Sequence, residues 1–179
     1  MQLRLALAVL AGLLAAGAAV AEEDALAEAM ARNPERLAAR AIDLIAGFGG
    51  AEGISPKEIE THIALERAGA RASALRRFLA MDLDTDGAVA RDELAVSQHA
   101  ASARGRGRME RQFGSADADG NGTVDAGEMA AAGVAAGLTA LGEDEAKLLR
   151  ALMQLDTDGN GMLAASEVTA ALARLDSAG

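Results

Sequence analysis

Three twelve-residue segments of this chain follow one pattern, and they constrain its fold more than any other feature. They read DLDTDGAVARDE from Asp82, DADGNGTVDAGE from Asp117 and DTDGNGMLAASE from Asp156. Each has an oxygen-bearing side chain at positions 1, 3 and 5, Gly at position 6, Val or Leu at position 8 and Glu at position 12. Because the segments begin at residues 82, 117 and 156, the spacing predicts repeated supersecondary units.

The pattern gives each segment the ligands of a hard divalent cation. Ca²⁺ takes about six to eight oxygens, mainly from carboxylates and backbone carbonyls. Side chains at positions 1, 3 and 5 can converge on one point, position 7 supplies a carbonyl, and Glu at position 12 supplies two oxygens. The predicted ligands are Asp82, Asp84, Asp86, Ala88 and Glu93 in the first segment, Asp117, Asp119, Asn121, Thr123, Asp125 and Glu128 in the second, and Asp156, Asp158, Asn160, Met162 and Glu167 in the third.

The net charge of the chain is explained by these segments. The chain has 17 Lys and Arg against 27 Asp and Glu. Eleven of the acids stand at predicted ligand positions, and without them and without Arg4 the remainder balances at 16 of each sign (27 less 11, and 17 less 1). A general acidic surface for basic partners is therefore not required, and no nucleic-acid partner is expected.

A fourth, degenerate copy of the segment lies upstream. Residues 47–58 read GFGGAEGISPKE, with Ile54 and Glu58 at the equivalents of positions 8 and 12, and with Gly or Ala in place of the first three ligands. A shortened loop that begins at Gly49, after a helix closed by Phe48, fits equally well. We predict that this copy has a structural role and holds no ion.

Helical patterns flank every loop, and no segment alternates with the period of an independent strand. A helix is predicted from Pro34, and the stretch from Ser55 to Glu58 has the signature of a helix start with a capping box. The helices that follow the three intact loops are predicted to begin near Arg91, Ala126 and Ala165. The fold class predicted is all-α.

On these motifs the chain resembles the EF-hand family, in the four-hand, calmodulin-like arrangement of an exported bacterial protein. The resemblance covers roughly residues 34–176 and rests on three complete loops. It implies two lobes of paired helix–loop–helix hands, three Ca²⁺ per chain and a short paired-strand contact at position 8. The implied pairs are Ile54 with Val89, and Val124 with Leu163.

The predicted organisation places a hand pair at 34–102, a Gly/Arg linker at 103–108 and a second hand pair at 109–179. Gly105 and Gly107 in the ARGRGR stretch disfavour a rigid helix there. Residues 22–33 form an N-terminal segment. Ahead of it, residues 1–21 have the form of a signal peptide with cleavage after Ala21, the alternative being an uncleaved anchor. A periplasmic or secreted protein without a transmembrane segment after cleavage is expected.

The function predicted is calcium binding, as a calcium sensor or adaptor that acts on an unidentified protein target. Two alternatives stay open: a calcium buffer or constitutively loaded structural module, and a surface protein that binds polysaccharide through Arg104, Arg106 and Arg108. The chain contains no Cys, which excludes disulfides and thiolate chemistry. No catalytic motif is visible in the sequence, and we do not expect an enzyme.

Overall fold

The structure, a computed structural model of the chain, describes residues 25–178. This part consists of eight α-helices, one turn of 3-10 helix and two short strands, and the all-α prediction is confirmed. The elements are α1 at 25–32, α2 at Pro34–Phe48, α3 at Pro56–Leu79, β1 at Val89–Ala90, α4 at Arg91–His99, α5 at Ala103–Ala116, β2 at Thr123–Val124, α6 at Ala126–Ala140, α7 at Glu143–Ala151 with a 3-10 turn at Leu152–Leu155, and α8 at Ala165–Ala178.

The predicted signal peptide at 1–21 lies outside the described residues. Among the helices from residue 25 to residue 178, none combines the length and the apolar character that a bilayer crossing requires.

Helix starts follow from local capping chemistry. Asn33 caps α2, since its side-chain oxygen accepts a hydrogen bond from the Arg36 N–H at 3.0 Å, and Pro34 occupies the first helical position. Ser55 and Glu58 cap α3 reciprocally: the Ser55 N–H donates to the Glu58 carboxylate at 2.8 Å, and the Glu58 N–H donates to Ser55 Oγ at 3.3 Å. The predicted capping box is therefore confirmed, as are the helix starts at Arg91, Ala126 and Ala165.

The chain forms two compact units that do not follow sequence order. One unit joins the segment ending at Ile63 to the segment beginning at Glu143, and the other comprises Ala64–Gly142. We call them the outer unit and the central unit. We number the loops along the chain: the degenerate loop is the first, and the loops that begin at Asp82, Asp117 and Asp156 are the second, third and fourth. The outer unit contains the first and fourth loops, whereas the central unit contains the second and third loops.

The central unit is organised around an antiparallel contact between its two loops. Val89 of β1 lies opposite Val124 of β2, and Ala90 lies opposite Thr123. Both valines are fully buried, and burying such a side chain stabilises the fold by roughly 1.5–3 kcal/mol. The two valines belong to one core cluster, together with Phe78, Met81, Leu94, Phe113, Ala116 and Met129.

The outer unit contains the equivalent contact between the degenerate loop and the last loop. The Ile54 N–H donates to the Leu163 carbonyl at 3.0 Å, and the Leu163 N–H donates back to Ile54 at 2.8 Å. Gly53 precedes this pair with φ +124°, and a Cβ placed there would lie 2.4 Å from the Leu163 carbonyl oxygen. Only Gly permits this approach of the two backbones. Helices α2 and α8 pack together in the same unit.

The pairing implied by the family resemblance, Ile54 with Val89 and Val124 with Leu163, is wrong. Neighbouring hands pair when a turn separates the helix leaving one loop from the helix entering the next. Residues Pro56–Leu79 instead form one unbroken helix of 24 residues, so no such turn follows the first loop. Between the second and third loops, α4 and α5 are joined by residues 100–102 alone, and that short turn returns the chain and pairs these two hands.

The predicted linker at 103–108 is also wrong, because these residues form the first turns of α5. Ser102 caps the helix by accepting a hydrogen bond from the Gly105 N–H at 3.2 Å, and Phe113 further along the same helix is fully buried. A Gly costs a helix about 1 kcal/mol. The cap and the buried helical face outweigh the cost of two such residues.

Candidate metal centre

The three intact loops share one backbone conformation, set by two left-handed residues in each. Position 6 has φ +87° at Gly87, +85° at Gly122 and +82° at Gly161. Position 4 is also left-handed, and Thr85 at φ +62° is the one non-Gly residue with positive φ in the described chain. Such a conformation strains any residue that bears a Cβ. These turns direct several backbone N–H groups toward the side chains of the loop.

The position-1 aspartates link the start of each loop to its bend. One oxygen of Asp82, of Asp117 and of Asp156 accepts a hydrogen bond from the N–H of the Gly at position 6, at 3.2, 3.2 and 2.8 Å. The other oxygen, Oδ1, is buried in Asp82 and Asp117 and has no hydrogen-bond partner in the described structure. In the last loop Oδ1 of Asp156 accepts from the Gly159 N–H at 2.8 Å. Buried charged oxygens of this kind require a partner, and a cation fits that need.

In each of the three intact loops, the side chains at positions 3 and 5 form a chain of hydrogen bonds with backbone N–H groups. In the second loop, Oδ1 of Asp84 accepts from the Asp86 N–H at 3.1 Å, and Oδ1 of Asp86 accepts from the Ala88 N–H at 2.8 Å. In the other two loops position 5 is Asn, and its side-chain oxygen accepts from the N–H of position 7 at 2.7 Å in each, at Thr123 and at Met162. The bonds fix the turn and hold the position-5 oxygen close to the loop.

The position-12 glutamates connect each loop to the helix that leaves it. Oε1 of Glu128 accepts from the Ala118 N–H at 2.7 Å, while Oε2 accepts from the Asp125 N–H at 3.1 Å. Glu93 makes the equivalent bonds at 2.7 and 2.8 Å, and Glu167 does so at 2.7 and 3.0 Å. Each glutamate therefore ties the second position of the loop to the ninth. The sequence pattern did not indicate this role, because the partners are backbone groups.

Backbone hydrogen bonds also favour the ionised form of two of these glutamates. The Ala90 N–H, followed by the Leu83 N–H, lowers the pKa of Glu93 below its ordinary value. The N–H groups of Ala164 and Thr157 lower the pKa of Glu167 in the same way. Donors that stabilise the charged form lower a carboxyl pKa. These glutamates are consequently anionic at neutral pH and available to a cation.

The structure brings most predicted carboxylate ligands together in three groups. Within a group, one oxygen from each residue lies within 4.8 Å of the others: Asp82, Asp84 and Asp86; Asp117, Asp119 and Glu128; Asp156, Asp158 and Glu167. Glu93 lies outside its group by this criterion, although it keeps the backbone bonds of its counterparts. Like charges this close repel one another even in water, so a cation would stabilise each group.

Asp125 serves a second purpose beside its predicted position in the third loop. Its Oδ1 accepts a hydrogen bond from the Glu128 N–H at 2.9 Å, which makes it the N-cap of α6. It is not part of the acidic group of that loop. The position-7 residues Ala88, Thr123 and Met162 directly follow the left-handed glycines of position 6, and their carbonyl ligation stays a prediction.

The first loop differs from the other three in both length and charge. Helix α2 ends at Phe48, which favours the shortened loop that begins at Gly49. From there six residues lead to Ile54, whereas eight lead from Asp156 to Leu163. Glu58 accepts from the N–H and Oγ of Ser55, both at 2.8 Å, and these bonds lower its pKa. Within residues 25–178, no acidic group suited to a metal includes a residue of this loop.

One comparison with known proteins bears on this site. A family model described as EF hand matches residues 109–131, which contain the third loop, the end of α5 and the start of α6. No curated protein and no solved structure matches the chain. The family match and the three acidic groups support an EF-hand family and indicate calcium binding.

Proposed function

We propose that the chain binds three Ca²⁺ ions, one in each loop that begins at Asp82, Asp117 and Asp156. The observation that carries the proposal is the buried Oδ1 atom of Asp82 and of Asp117, each without a hydrogen-bond partner among the described residues. These atoms belong to acidic groups whose available ligands are all oxygen, the donor type that Ca²⁺ prefers. The EF-hand family is typically non-enzymatic, and we propose no catalytic activity.

The residues of each loop would hold the ion in distinct ways. Carboxylates at positions 1 and 3 supply charge, position 5 supplies a carboxylate or amide oxygen, and position 7 supplies its carbonyl. The glutamate at position 12 connects the ion to the helix that follows. When bound, Ca²⁺ supplies the positive charge that offsets the repulsion within the group. The backbone bonds from the loop to the aspartates and the glutamate hold these groups close together beforehand.

Calorimetric Ca²⁺ titration of single variants tests this assignment. Asp82→Ala removes a carboxylate of the second loop, so we expect its titration to lose one of three binding events. Asp92→Ala is the matched control, because Asp92 is an exposed acid one residue from Glu93 that belongs to no acidic group. We expect the control to keep three events. Three events in Asp82→Ala would contradict the assignment of this loop.

For the first loop we propose a structural role without an ion. The loop is two residues shorter before Ile54, has Gly or Ala at the equivalents of positions 1, 3 and 5, and contributes no residue to the acidic groups found among residues 25–178. Its contribution is the backbone pair with Leu163. The variant Glu58→Gln keeps the capping side chain and is expected to bind as many ions as the unaltered chain. A loss of one ion would overturn the structural role.

For the role of calcium we propose a constitutively loaded or buffering module. Met81 and Met129, which could line the groove of a sensor, are 2% and 5% exposed and belong to the core of the central unit. Extracellular sites of this kind bind at about 10⁻⁴–10⁻³ M, and calcium outside cells suffices to fill them. If the protein is such a module, adding Ca²⁺ exposes no apolar surface, and the fluorescence of an apolar dye should not increase.

A sensor that acts on a protein target is the second candidate, and one observation favours it. Val134 and Leu138, one turn apart on α6, are 54% and 44% exposed, so an apolar strip follows the third loop. For a sensor, dye fluorescence rises with Ca²⁺, and Val134→Ser with Leu138→Ser reduces that rise. An unchanged signal in the unaltered chain counts against the sensor.

We also propose that the protein is exported and processed after Ala21, into the periplasm or the medium. Support comes from the sequence alone, through Arg4, the apolar residues 5–20 and the small residues Ala19 and Ala21. Sequencing the N-terminus of protein from the periplasmic and culture fractions should give Glu22 as the first residue. A chain that begins at Met1 in those fractions would contradict cleavage.

A further inference from the structure

A basic groove in the central unit lies apart from the calcium loops. Its walls come from the C-terminal part of α3 and from α5, and its volume is about 590 Å³. The lining residues are Arg77, Arg108, Arg111, Gln112 and Ser115. Among the residues that the structure describes, no acid lines this groove, although the chain as a whole carries a net charge of −10.

The side chains that line this groove are mainly hydrogen-bond donors and offer few acceptors. Arg77 Nε donates to Oε1 of Gln112 at 3.2 Å, which fixes the orientation of the amide. The Gln112 Nε2 donor is then buried and has no partner in the described structure. The Ser115 hydroxyl donates to the Gln112 carbonyl at 3.0 Å. A buried unpaired donor is costly, and an acceptor from a ligand would satisfy it.

The arginines of the groove are not neutralised within the protein. Within residues 25–178, no acid forms an ion pair with Arg77, Arg108 or Arg111. The remaining arginines of these stretches are arranged differently: Arg76 donates to Ser73 Oγ at 3.3 Å, and Arg106 donates to the Ala101 carbonyl at 3.2 Å. Three cationic side chains therefore line one groove without a counter-charge among the described residues, together with Gln112, whose unpaired Nε2 is buried.

An apolar cleft continues the groove. It has a volume of about 200 Å³, shares Arg77, Arg108 and Gln112, and adds Ala80, Met81 and Met109. Met81 is buried in the core, so the partly buried Met109 is the side chain that can adapt to a small apolar group. A ligand with one anionic end and one short apolar end matches both parts.

We propose that this groove binds an organic oxyanion, a sulfate or phosphate ester whose anionic group contacts Arg77, Arg108 and Arg111 and whose carbon portion enters the cleft. Guanidinium groups pair with two oxygens of such an anion at once, and its remaining oxygens can accept from Gln112 Nε2. This goes beyond calcium binding and does not depend on occupied loops.

Titration of the full mature chain with phenyl sulfate, followed by amide NMR shifts at constant ionic strength and fixed free calcium, tests the proposal. We expect saturable shifts at residues 77–81 and 108–115, and tighter binding than for inorganic sulfate. The triple variant Arg77→Gln, Arg108→Gln and Arg111→Gln should lose at least about tenfold in affinity, since it removes several charge-assisted hydrogen bonds. Absent or unsaturable shifts would overturn the site, and equal binding of both probes would overturn the role of the cleft.

A second triple variant, Arg76→Gln, Arg104→Gln and Arg106→Gln, removes the same charge from residues that do not line the groove. We expect it to bind phenyl sulfate within about twofold of the unaltered chain. A loss equal to that of the first triple would show general charge attraction and overturn a specific site. Gln112→Glu keeps the acceptor for Arg77 but replaces the unpaired donor with a carboxylate. It should fold, as judged by circular dichroism, and lose binding; retained binding contradicts the proposal.

Discussion

The pairing of the four loops can be tested by a double-mutant cycle on Ile54 and Leu163. Both side chains are completely buried, and truncation of such a residue to Ala costs about 2–5 kcal/mol. Their backbones form an antiparallel pair, so their Cβ atoms lie about 5 Å apart. Contacting residues show coupling of about 0.5–3 kcal/mol. We therefore expect the double variant to be less destabilised than the sum of the single variants by about 1 kcal/mol.

Urea unfolding followed by circular dichroism at a fixed free calcium concentration gives these free energies of unfolding. The matched control is the cycle of Ile54→Ala with Val89→Ala, two residues that each have another partner. Independent sites add within about 0.5 kcal/mol, and we expect additivity in this control. Coupling in the Ile54 and Val89 cycle, together with additivity for Ile54 and Leu163, would refute the observed pairing.

Three further outcomes follow from the loops and their caps. Gly87→Ala, at φ +87°, should destabilise the chain by about 1 kcal/mol or more. Gly114→Ala, inside α5 with no atom near the added Cβ, should instead stabilise it by about 0.5–1 kcal/mol. Thermal unfolding of both variants measures this contrast, and equal effects of the two substitutions would contradict it. The hydrogen bonds that Glu58 accepts from Ser55 lower its pKa from 4.5 in the folded chain. Ionised Glu58 therefore stabilises the fold above about pH 4.5, and this contribution is lost as the pH falls through the pKa of Glu58 in the folded chain. The difference in unfolding free energy between the unaltered chain and Glu58→Gln should shrink over that acid range in calcium-free buffer, and a constant difference would contradict the cause. Chelation of calcium should lower both the melting temperature and the helix content because the acidic groups then repel, and identical melting curves with and without chelator would argue against bound metal.

Local features of the fold could be predicted because each depends on neighbouring residues. The loops, their acidic groups, the capping box at Ser55 and the helix starts after each loop arise within about twelve residues of sequence. The bend at position 6 needs a left-handed backbone, which Gly adopts without steric cost, so three equivalent segments give three equivalent turns. The end of α2 at Phe48 could be predicted for the same reason, because Gly49 follows it directly in the sequence.

The pairing of the loops could not be predicted in the same way, because it depends on contacts distant in sequence. Ile54 and Leu163 are 109 positions apart, and nothing local distinguishes that partner from Val89. The decisive fact is the unbroken helix α3, and its helical pattern gave no sign that the usual turn was absent. At 103–108 the glycines indicated a break, but the cap at Ser102 and the burial of Phe113 favour the helix.

The basic groove shows a similar limit. The sequence grouped Arg104, Arg106 and Arg108, whereas the groove combines Arg108 with Arg111 of the same helix and with Arg77 from another helix. The unpaired amide of Gln112 had no signal in the sequence, since its environment is created by the packing of α3 and α5.

The most direct test of the central claim is the number of Ca²⁺ ions bound by a chain that begins at Glu22, the first residue after the proposed cleavage. Native mass spectrometry after equilibration with calcium should show a chain that carries three ions, and Asp117→Ala should carry two. Four ions would show that the shortened first loop binds metal. A chain without calcium under the same conditions would contradict the assignment of the three acidic groups as calcium sites.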